Sequence, residues 1–329
     1  MDLAQKKQFF SIDVITDLAM GAPFGDLKSD SDKHEFLRTT MELQPAAIVV
    51  ASMPWVSKIL QTRFVGKFLF PTAQDEIGMG RMIATAQQQV AERYDPSKHF
   101  EKPDILQSLY NHGLSEAETH AESLLLMFAG SDTTASAIRA TMFALLTSPS
   151  TYRRLQAEIN SATLSSPVVR DEEARQLPYL QAVILEGLRV HPPPGGLLPK
   201  ETPAAGDTFN GTYIPGGVSI GTNIWAIMRN TSAFGDDVEC FRPERWLGID
   251  QVKYVEMFRV VDLAFGSGRF KCLGRAIAWM ELNKIIVELL RNFDWNIVDA
   301  TNPWERASMG VIVHRKLYVR VSERIIQDS

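Results

Sequence analysis

The spacing of apolar residues predicts that helices dominate the first two thirds of the chain. The stretch SEAETHAESLLLMFAGSDTTASAIRATMFALLTS has helix-spaced apolar residues, starts with Ser115 and Glu118 in capping positions, and is stopped by Pro149. Further helices are predicted in STYRRLQAEINSA and LPYLQAVILEGLRV, and the second ends at HPPPGG, because proline cannot continue a helix. We therefore expect one helix long enough to cross a domain, followed by shorter ones.

The pattern changes near residue 200. DTFNGTYIPGGVSIGTNIWAIM places β-branched and aromatic residues between Asn-Gly and Gly-Gly turns, which predicts a hairpin or short meander. RNTSAFGDDVECFRPERWLG is too rich in turn formers for regular structure, CLGRAIAWMELNKIIVELLRNF returns to helical spacing, and SMGVIVHRKLYVRV is typical of strand. With no repeat or linker found, the predicted fold class is α+β, mostly α, and residues 1–329 are interpreted as one domain.

Composition narrows the partners and the compartment. The net charge is -5, and Lys and Arg are interspersed with acidic residues, which argues against a nucleic-acid partner. Two cysteines, Cys240 and Cys272, cannot form a disulfide framework, and MDLAQKKQFF lacks the apolar core of a signal peptide. The longest apolar stretch, residues 45–56, is too short and too interrupted by proline to span a bilayer. We expect an intracellular, reducing compartment and, if any membrane contact, a peripheral one.

The strongest candidate for chemistry is the segment FGSGRFKCLG, which carries Cys272. It joins a glycine-rich loop to a predicted helix N-terminus, where backbone N–H groups and the helix dipole favour a thiolate that serves as metal ligand or nucleophile. The alternative is that Cys272 is a small buried apolar residue, the commoner role of a lone cysteine. The six histidines lack zinc-like spacing, which argues against structural zinc or an iron–sulfur cluster.

Three further motifs are weak when each is taken alone. AGSDTT lies inside the long predicted helix, where glycine costs about 1 kcal/mol relative to alanine, so it marks either a functional site or a mild kink. Glu186 and Arg189 in EGLR lie one helical turn apart and are also consistent with a surface ion pair. Arg245 in FRPERW is a candidate to share a carboxylate partner with Arg189.

Together and in this order, AGSDTT, EGLR, FRPERW and FGSGRFKCLG resemble the cytochrome P-450 family of heme-thiolate monooxygenases. The resemblance covers essentially the whole chain, but only the C-terminal two thirds of the family fold. The expected fold is thus the cytochrome P-450 fold lacking its N-terminal part, where the family carries its membrane anchor and a helix that holds a heme propionate. It implies heme b as the iron cofactor, with Cys272 as the axial thiolate.

The resemblance also assigns residues to the cofactor. Besides Cys272, the expected heme-binding residues are those of the cysteine loop and one basic residue after GGLLP: Phe265, Gly268, Arg269, Gly274 and Lys200. Phe270 stands where the family usually has arginine, with Arg269 and Lys271 on either side, so propionate pairing is expected to pass to a neighbour. The loop is similar to that of a fungal subgroup that includes pisatin demethylase, which implies a role in secondary metabolism.

Catalytic, structural and substrate roles follow by the same resemblance. Asp132 is expected to relay protons and Thr133 to hydrogen-bond the oxygen that is activated, while Glu186, Arg189 and Arg245 form the structural triad. The expected substrate contacts are the apolar positions of three segments, each of which ordinary core packing also explains: Phe128, Ala129, Leu197, Leu198, Met309 and Gly310.

The function implied is insertion of one oxygen atom of O2 into an apolar small molecule such as a terpenoid, polyketide or alkaloid. Electrons would come from an NADPH-dependent flavoprotein reductase. The expected location is the endoplasmic reticulum surface if an anchored full-length form exists, and otherwise the cytoplasm. Two alternatives stay open: a truncated, catalytically inactive heme-binding remnant, and a reductant-independent rearrangement, against which the Asp132–Thr133 pair weighs. We expect the chain alone to bind heme poorly and to turn over weakly or not at all.

Overall fold

A computed structural model describes residues 1–60, 62, 72–75, 78–98, 100 and 103–324. The chain divides into two compact units. Unit 1 comprises Met1–Ala135, Asp299–Glu305 and Arg315–Val319. Unit 2 comprises Ser136–Val298, Arg306–His314 and the described residues from Arg320 onward.

Unit 1 is built mainly from helices. Those that the structure describes are α1 Leu3–Met20, α2 Asp26–Ser29, α3 Phe36–Ser52, α4 Pro54–Leu60, α5 Gly78–Tyr94, α6 Ile105–Asn111 and the first part of α7, Glu116–Leu146. The predicted start of the long helix α7 is correct. Glu118 N–H donates to Ser115 Oγ at 3.3 Å, and Ser115 N–H donates to Glu118 Oε2 at 2.8 Å, which is a reciprocal capping box.

The core of unit 1 lies where α1, α3, α5, α6 and α7 meet. Its buried side chains repeat at helical spacing on α1 and α5, and the cluster consists of Ile12, Ile15, Ala19, Met20, Phe36, Met82, Ala86, Val90, Leu106 and Met127. Gly130 of α7 lies against this core, because a Cβ atom there would be 2.7 Å from Cγ1 of Ile15. The glycine of AGSDTT is therefore required by the close approach of α1 and α7, whatever the motif does chemically.

Unit 2 holds the remaining helices and most strand residues. After α7 its described helices are α8 Pro149–Ser161, α9 Asp171–Ala174, α10 Pro178–Val190, α11 Ile224–Ile227, α12 Thr231–Phe234, α13 Gln251–Asp262 and α14 Arg275–Asn292. The strands after residue 199 are β1 Lys200–Glu201, β2 Asp207–Phe209, β3 Thr212–Ile214, β4 Ser219–Ile220, β5 Phe293–Ile297, β6 Glu305–Met309, β7 Val311–Arg315 and β8 Val319–Glu323. They form two-stranded sheets that pair β1 with β4, β2 with β3, β5 with β8 and β6 with β7.

Helices α8, α10 and α14 pack against one another and centre unit 2. From Tyr179 to Val190, α10 is buried at every position except Gln181, as expected for a helix surrounded by other elements. The Glu158 carboxylate of α8 accepts the backbone N–H groups of Tyr179 and Leu180 at 2.7 and 2.8 Å. It thereby satisfies N–H groups in the first turn of α10 that have no partner within the helix.

The predicted hairpin is present as β2 and β3. Phe209 pairs with Thr212, and the turn residues Asn210 and Gly211 have φ angles of 49° and 79°, as an Asn-Gly hairpin turn requires. The rest of the predicted meander is wrong in part, because NIWAIM contains the short helix α11, which Asn223 caps by accepting from Ala226 N–H at 3.1 Å.

The turn-rich segment that follows also contains regular structure. It holds α12 and a 3-10 helix over Pro243–Trp246. Helix α13 was not predicted either. Local caps explain these differences, since Asn230 starts α12 and Asp250 starts α13 through side-chain acceptors. None of the helices in the described part of the chain combines the length and apolarity that crossing a membrane requires.

One carboxyl group in unit 2 is buried without compensation. Glu281 on α14 is buried, and its Oε2 atom has no hydrogen-bond partner among the described residues. Burial raises the pKa of Glu281 from 4.5 to about 8. The folded protein therefore keeps a proton on this group over a pH range in which the unfolded chain releases it.

This proton makes the stability depend on pH. The contribution of Glu281 to stability is fully present below pH 4.5 and is lost as the pH rises through about 8, because only the unfolded chain gains from ionisation in that window. Glu281→Gln should therefore become increasingly more stable than the wild type between pH 5 and pH 9, by up to about 1.4 kcal/mol for each unit of pKa shift. Urea unfolding at pH 5, 7 and 9 measures this, with Glu256→Gln at an exposed site as control. A stability gain from Glu281→Gln that is the same at all three pH values would contradict the assignment.

Candidate heme-thiolate site

The cysteine loop turns back on itself before α14 begins. Two 3-10 turns, Leu263–Phe265 and Gly268–Phe270, precede Cys272, whose N–H donates to the carbonyl oxygen of Phe265 at 2.7 Å. Gly266 has a φ angle of 73°, and a Cβ atom there would lie 2.6 Å from the carbonyl oxygen of Phe270. Only glycine fits at this reversal of the chain. Cys272 follows the reversal and lies two residues before Gly274, the N-cap of α14.

Cys272 is a single potential metal ligand, which suits a metal ion that a cofactor already coordinates. The Cys272 side chain is exposed, and among the described residues no group of three His, Cys, Asp or Glu side chains is placed to hold a metal ion. A lone thiolate is a poor site for zinc but is the axial ligand that a heme iron needs, since the porphyrin supplies four nitrogens. The neighbouring Leu273 is 94% exposed and Phe270 is also exposed, so apolar surface accompanies the thiol. The residues present therefore fit a heme.

The basic residues of this region divide into two groups. Asp262 accepts from Arg275 at 2.5 Å and forms a longer ion pair with Lys271 at 3.4 Å. Lys200 Nζ and Arg269 Cζ each lie 4.7 Å from the centroid of the Phe270 ring. Neither of these two cations has an ion pair with a carboxylate in the described part of the chain. Phe270, where the family usually has arginine, thus has two cations within cation–π distance, and neither is already paired with a carboxylate of the described chain.

Glu186 is the centre of a buried ionic network in unit 2. It is fully buried and accepts from Arg189 at 2.8 and 2.9 Å and from Arg245 at 2.8 Å. Trp246 Nε1 adds a fourth bond at 2.9 Å and the backbone N–H of Arg242 a fifth at 3.0 Å. The structure thus brings the three predicted triad residues into contact and adds the Trp246 indole, which sequence reasoning missed.

Asp132 and Thr133 lie on α7 in unit 1, and both are half-buried. The Thr133 hydroxyl donates to the carbonyl oxygen of Ala129 at 2.8 Å, so its proton points into the helix and its lone pairs stay available as acceptors. The Asp132 carboxylate accepts from two glutamine amides, Gln8 and Gln44, the second at 3.1 Å. Sequence reasoning missed both glutamines, although Gln8 falls on the buried face of α1.

The predicted substrate-contact residues differ in their burial and in the unit to which they belong. Phe128 is half-buried and its ring centroid lies 5.6 Å from that of Phe36, so it belongs at least partly to the core of unit 1, whereas Ala129 is exposed. In unit 2 the Gly310 carbonyl accepts from Gly195 N–H at 2.8 Å, which sets Gly310 close to the turn that carries the exposed Leu197 and Leu198. The side chain of Met309 lies outside the described residues.

Comparison with known proteins decides the family. A sequence profile named Cytochrome P450 matches residues 1–320. The chain belongs to the cytochrome P450 family. Members of this family use a heme iron, which agrees with the fit of the Cys272 loop. Asp132 and Thr133 belong to unit 1 and Cys272 to unit 2, and the roles of these residues stay predictions.

Similar proteins come from several fungi. The chain is 42% identical to the cytochrome P450 monooxygenase aba1 of Botryotinia fuckeliana over 98% of this chain and 64% of that protein. It is 39% identical to ABA1 of Pyricularia oryzae over 99% of this chain and 64% of the relative. It is also 39% identical to abl1 of Leptosphaeria maculans over 95% of this chain and 56% of the relative. The chain thus spans less than two thirds of the length of these relatives.

The buried network around Glu186 should be essential for stability. Glu186→Gln removes the charge but leaves Arg189 and Arg245 buried, so we expect a loss of about 3–5 kcal/mol in the free energy of unfolding. Urea unfolding measures it. Glu305→Gln, which removes the exposed partner of Lys316, should cost less than about 1 kcal/mol. Equal effects of the two substitutions would refute the central role of Glu186.

The two cations beside Phe270 should bind propionates. The double variant Lys200→Met with Arg269→Met should release heme several-fold faster to an excess of apomyoglobin than the wild type does. Hemin dimethyl ester, which has no propionate charge, should leave both proteins at the same rate. Lys271→Met is the matched control, because Asp262 already pairs with that lysine. An equal acceleration with the ester would show that the cations serve folding instead.

Proposed function

We propose that this protein is a heme-thiolate monooxygenase that inserts one oxygen atom of O2 into an apolar small molecule. The observation that carries the proposal is the exposed Cys272 thiol, held in a glycine-dependent loop at the start of α14 without companion metal ligands among the described residues. Membership of the cytochrome P450 family and the printed names of the relatives, which are monooxygenases, support it.

Cys272, Lys200 and Arg269 are assigned to holding the heme. When bound, the heme supplies the redox chemistry that activates O2. Cys272 would hold the heme iron through its thiolate sulfur and would supply the electron density on which that redox chemistry depends. The hydrogen bond from Cys272 N–H to Phe265 fixes the loop that presents the sulfur. Lys200 and Arg269 neutralise the propionates.

The residues on α7 are assigned to proton handling. Asp132 holds and releases a proton at its carboxylate, and Thr133 offers its hydroxyl oxygen as an acceptor because its own proton is engaged by Ala129. Together they would steer protons towards the oxygen that leaves as water.

The proposal also covers the class of substrate, the electron donor and the location in the cell. The exposed side chains of Leu197 and Leu198 are apolar, which suits a terpenoid, polyketide or alkaloid-like substrate. The fungal origin of the relatives supports a role in fungal secondary metabolism. An NADPH-dependent flavoprotein reductase is the proposed electron donor. The proposed location is intracellular, on the endoplasmic reticulum if an anchored form exists.

The decisive experiment replaces each cysteine separately. Cys272→Ser should abolish the red-shifted Soret band of the reduced, carbon monoxide-bound protein, because an alcohol oxygen does not replace the thiolate. Cys240→Ser is the matched control: Cys240 is also exposed, but it lies in a turn before the 3-10 helix over Pro243–Trp246. Reductase-dependent product formation is measured in parallel.

Two results would refute the proposal. Loss of the band in the Cys240→Ser variant with retention in Cys272→Ser would show that the ligand is assigned wrongly. A correct band with no reductase-dependent oxygen insertion into any of a panel of apolar compounds would favour a heme-binding protein without monooxygenase activity.

A further inference from the structure

The Asp132 carboxylate is held from two other helices of unit 1. Gln8 of α1 donates to Oδ1, and Gln44 of α3 donates to Oδ2 at 3.1 Å. Gln8 is only 2% exposed. Each carboxylate oxygen therefore receives its own amide N–H, which fixes the plane of the group as well as its position.

The Gln44 side chain of α3 carries an energetic penalty that an apolar side chain would avoid. Gln44 Oε1 is buried and has no hydrogen-bond partner among the described residues. An unsatisfied buried carbonyl is unfavourable, and an apolar side chain of the same length would not incur that penalty. The hydrogen bond that Gln44 donates to Asp132 therefore explains why an amide, and not an apolar side chain, occupies this position.

The chemical type of the two donors matters as much as their placement. Amides donate hydrogen bonds without a positive charge, so they orient a carboxylate while opposing its protonation less than a lysine or arginine would.

We propose that Gln8 and Gln44 are positioning residues that hold the Asp132 carboxylate in one orientation for proton transfer. The proposal rests on the proposed monooxygenase function for its chemical meaning, but the contacts themselves do not depend on turnover. The two amides fix the direction in which the Asp132 carboxylate presents its oxygen atoms.

The functional test measures where the electrons go. Gln8→Met and Gln44→Met keep the side-chain length but remove the N–H donors, so the ratio of product formed to NADPH consumed should fall several-fold, with hydrogen peroxide making up the difference. The substrate-induced spectral shift should stay close to that of the wild type. Gln5→Met is the matched control on the exposed face of α1 and should leave the ratio unchanged.

The second test does not require turnover. In the reduced, carbon monoxide-bound protein, Gln8→Met and Asp132→Asn should shift the C–O stretching band in the same direction. Thermal unfolding should show coupling, so that the Tm shift of Gln8→Met is substantial in the wild type and nearly absent when Asp132 is already replaced by leucine, which has no acceptor for the amide N–H. A substitution with a purely structural effect would lower Tm by the same amount in both backgrounds.

The outcomes separate this inference from the proposed function. Additive Tm shifts together with an unchanged C–O band in Gln8→Met would overturn the positioning role, even in an active enzyme. Coupled Tm shifts and a common band shift would support it, even if no product were found, and the missing product would then count against the monooxygenase function alone.

Discussion

The burial of one carboxylate between two guanidinium groups organises unit 2. Glu186 has five hydrogen-bond donors around it, and Arg189 also donates to the carbonyl oxygens of Met228, Val238 and Cys240. These carbonyls lie in a turn-rich segment that has few apolar side chains of its own. Because a buried ion is tolerated only when its polar atoms are paired, the chain must take this path for the network to be satisfied. The irregular segment before the 3-10 helix is thus ordered by charge compensation.

The same network connects to the cysteine loop through aromatic rings. Trp246 donates to Glu186 and lies edge-on to Tyr254, with centroids 6.1 Å apart, and Tyr254 stacks on Phe258 at 6.2 Å. Phe258 lies 5.9 Å from the Arg275 guanidinium, which in turn binds Asp262 beside the loop. A chain of contacts therefore runs from the buried ions to the segment that presents the thiol. It explains how a network without its own chemistry supports the position of Cys272.

The sequence predicts most of the helices and the parts of the site that depend on local geometry. The capping residues of α7 and the glycine-dependent turn before Cys272 are readable because the signal lies within a few residues. The glutamines that hold Asp132 and the indole that joins Glu186 are not readable in this way, since their partners lie on other elements. Gly130 shows the limit clearly: a glycine is unusual inside a helix, but only the packing of Ile15 shows why it is there.

The cationic side chains of unit 2 differ in whether the protein itself supplies a carboxylate partner. Arg189 and Arg245 have their charge matched within the protein by Glu186 and, for Arg245, also by Asp237 at 3.0 Å, which is the condition for a structural role. Asp262 likewise pairs with Arg275 at 2.5 Å at the start of α14, with Lys271 farther away at 3.4 Å. Lys200 and Arg269 are different, because each lies 4.7 Å from the centroid of the Phe270 ring and neither has a carboxylate partner in the described part of the chain. A ligand with carboxylates would supply the counterions that both cations lack. In the proposed heme site, Lys200 and Arg269 would therefore supply the positive charge that the family pattern places at residue 270.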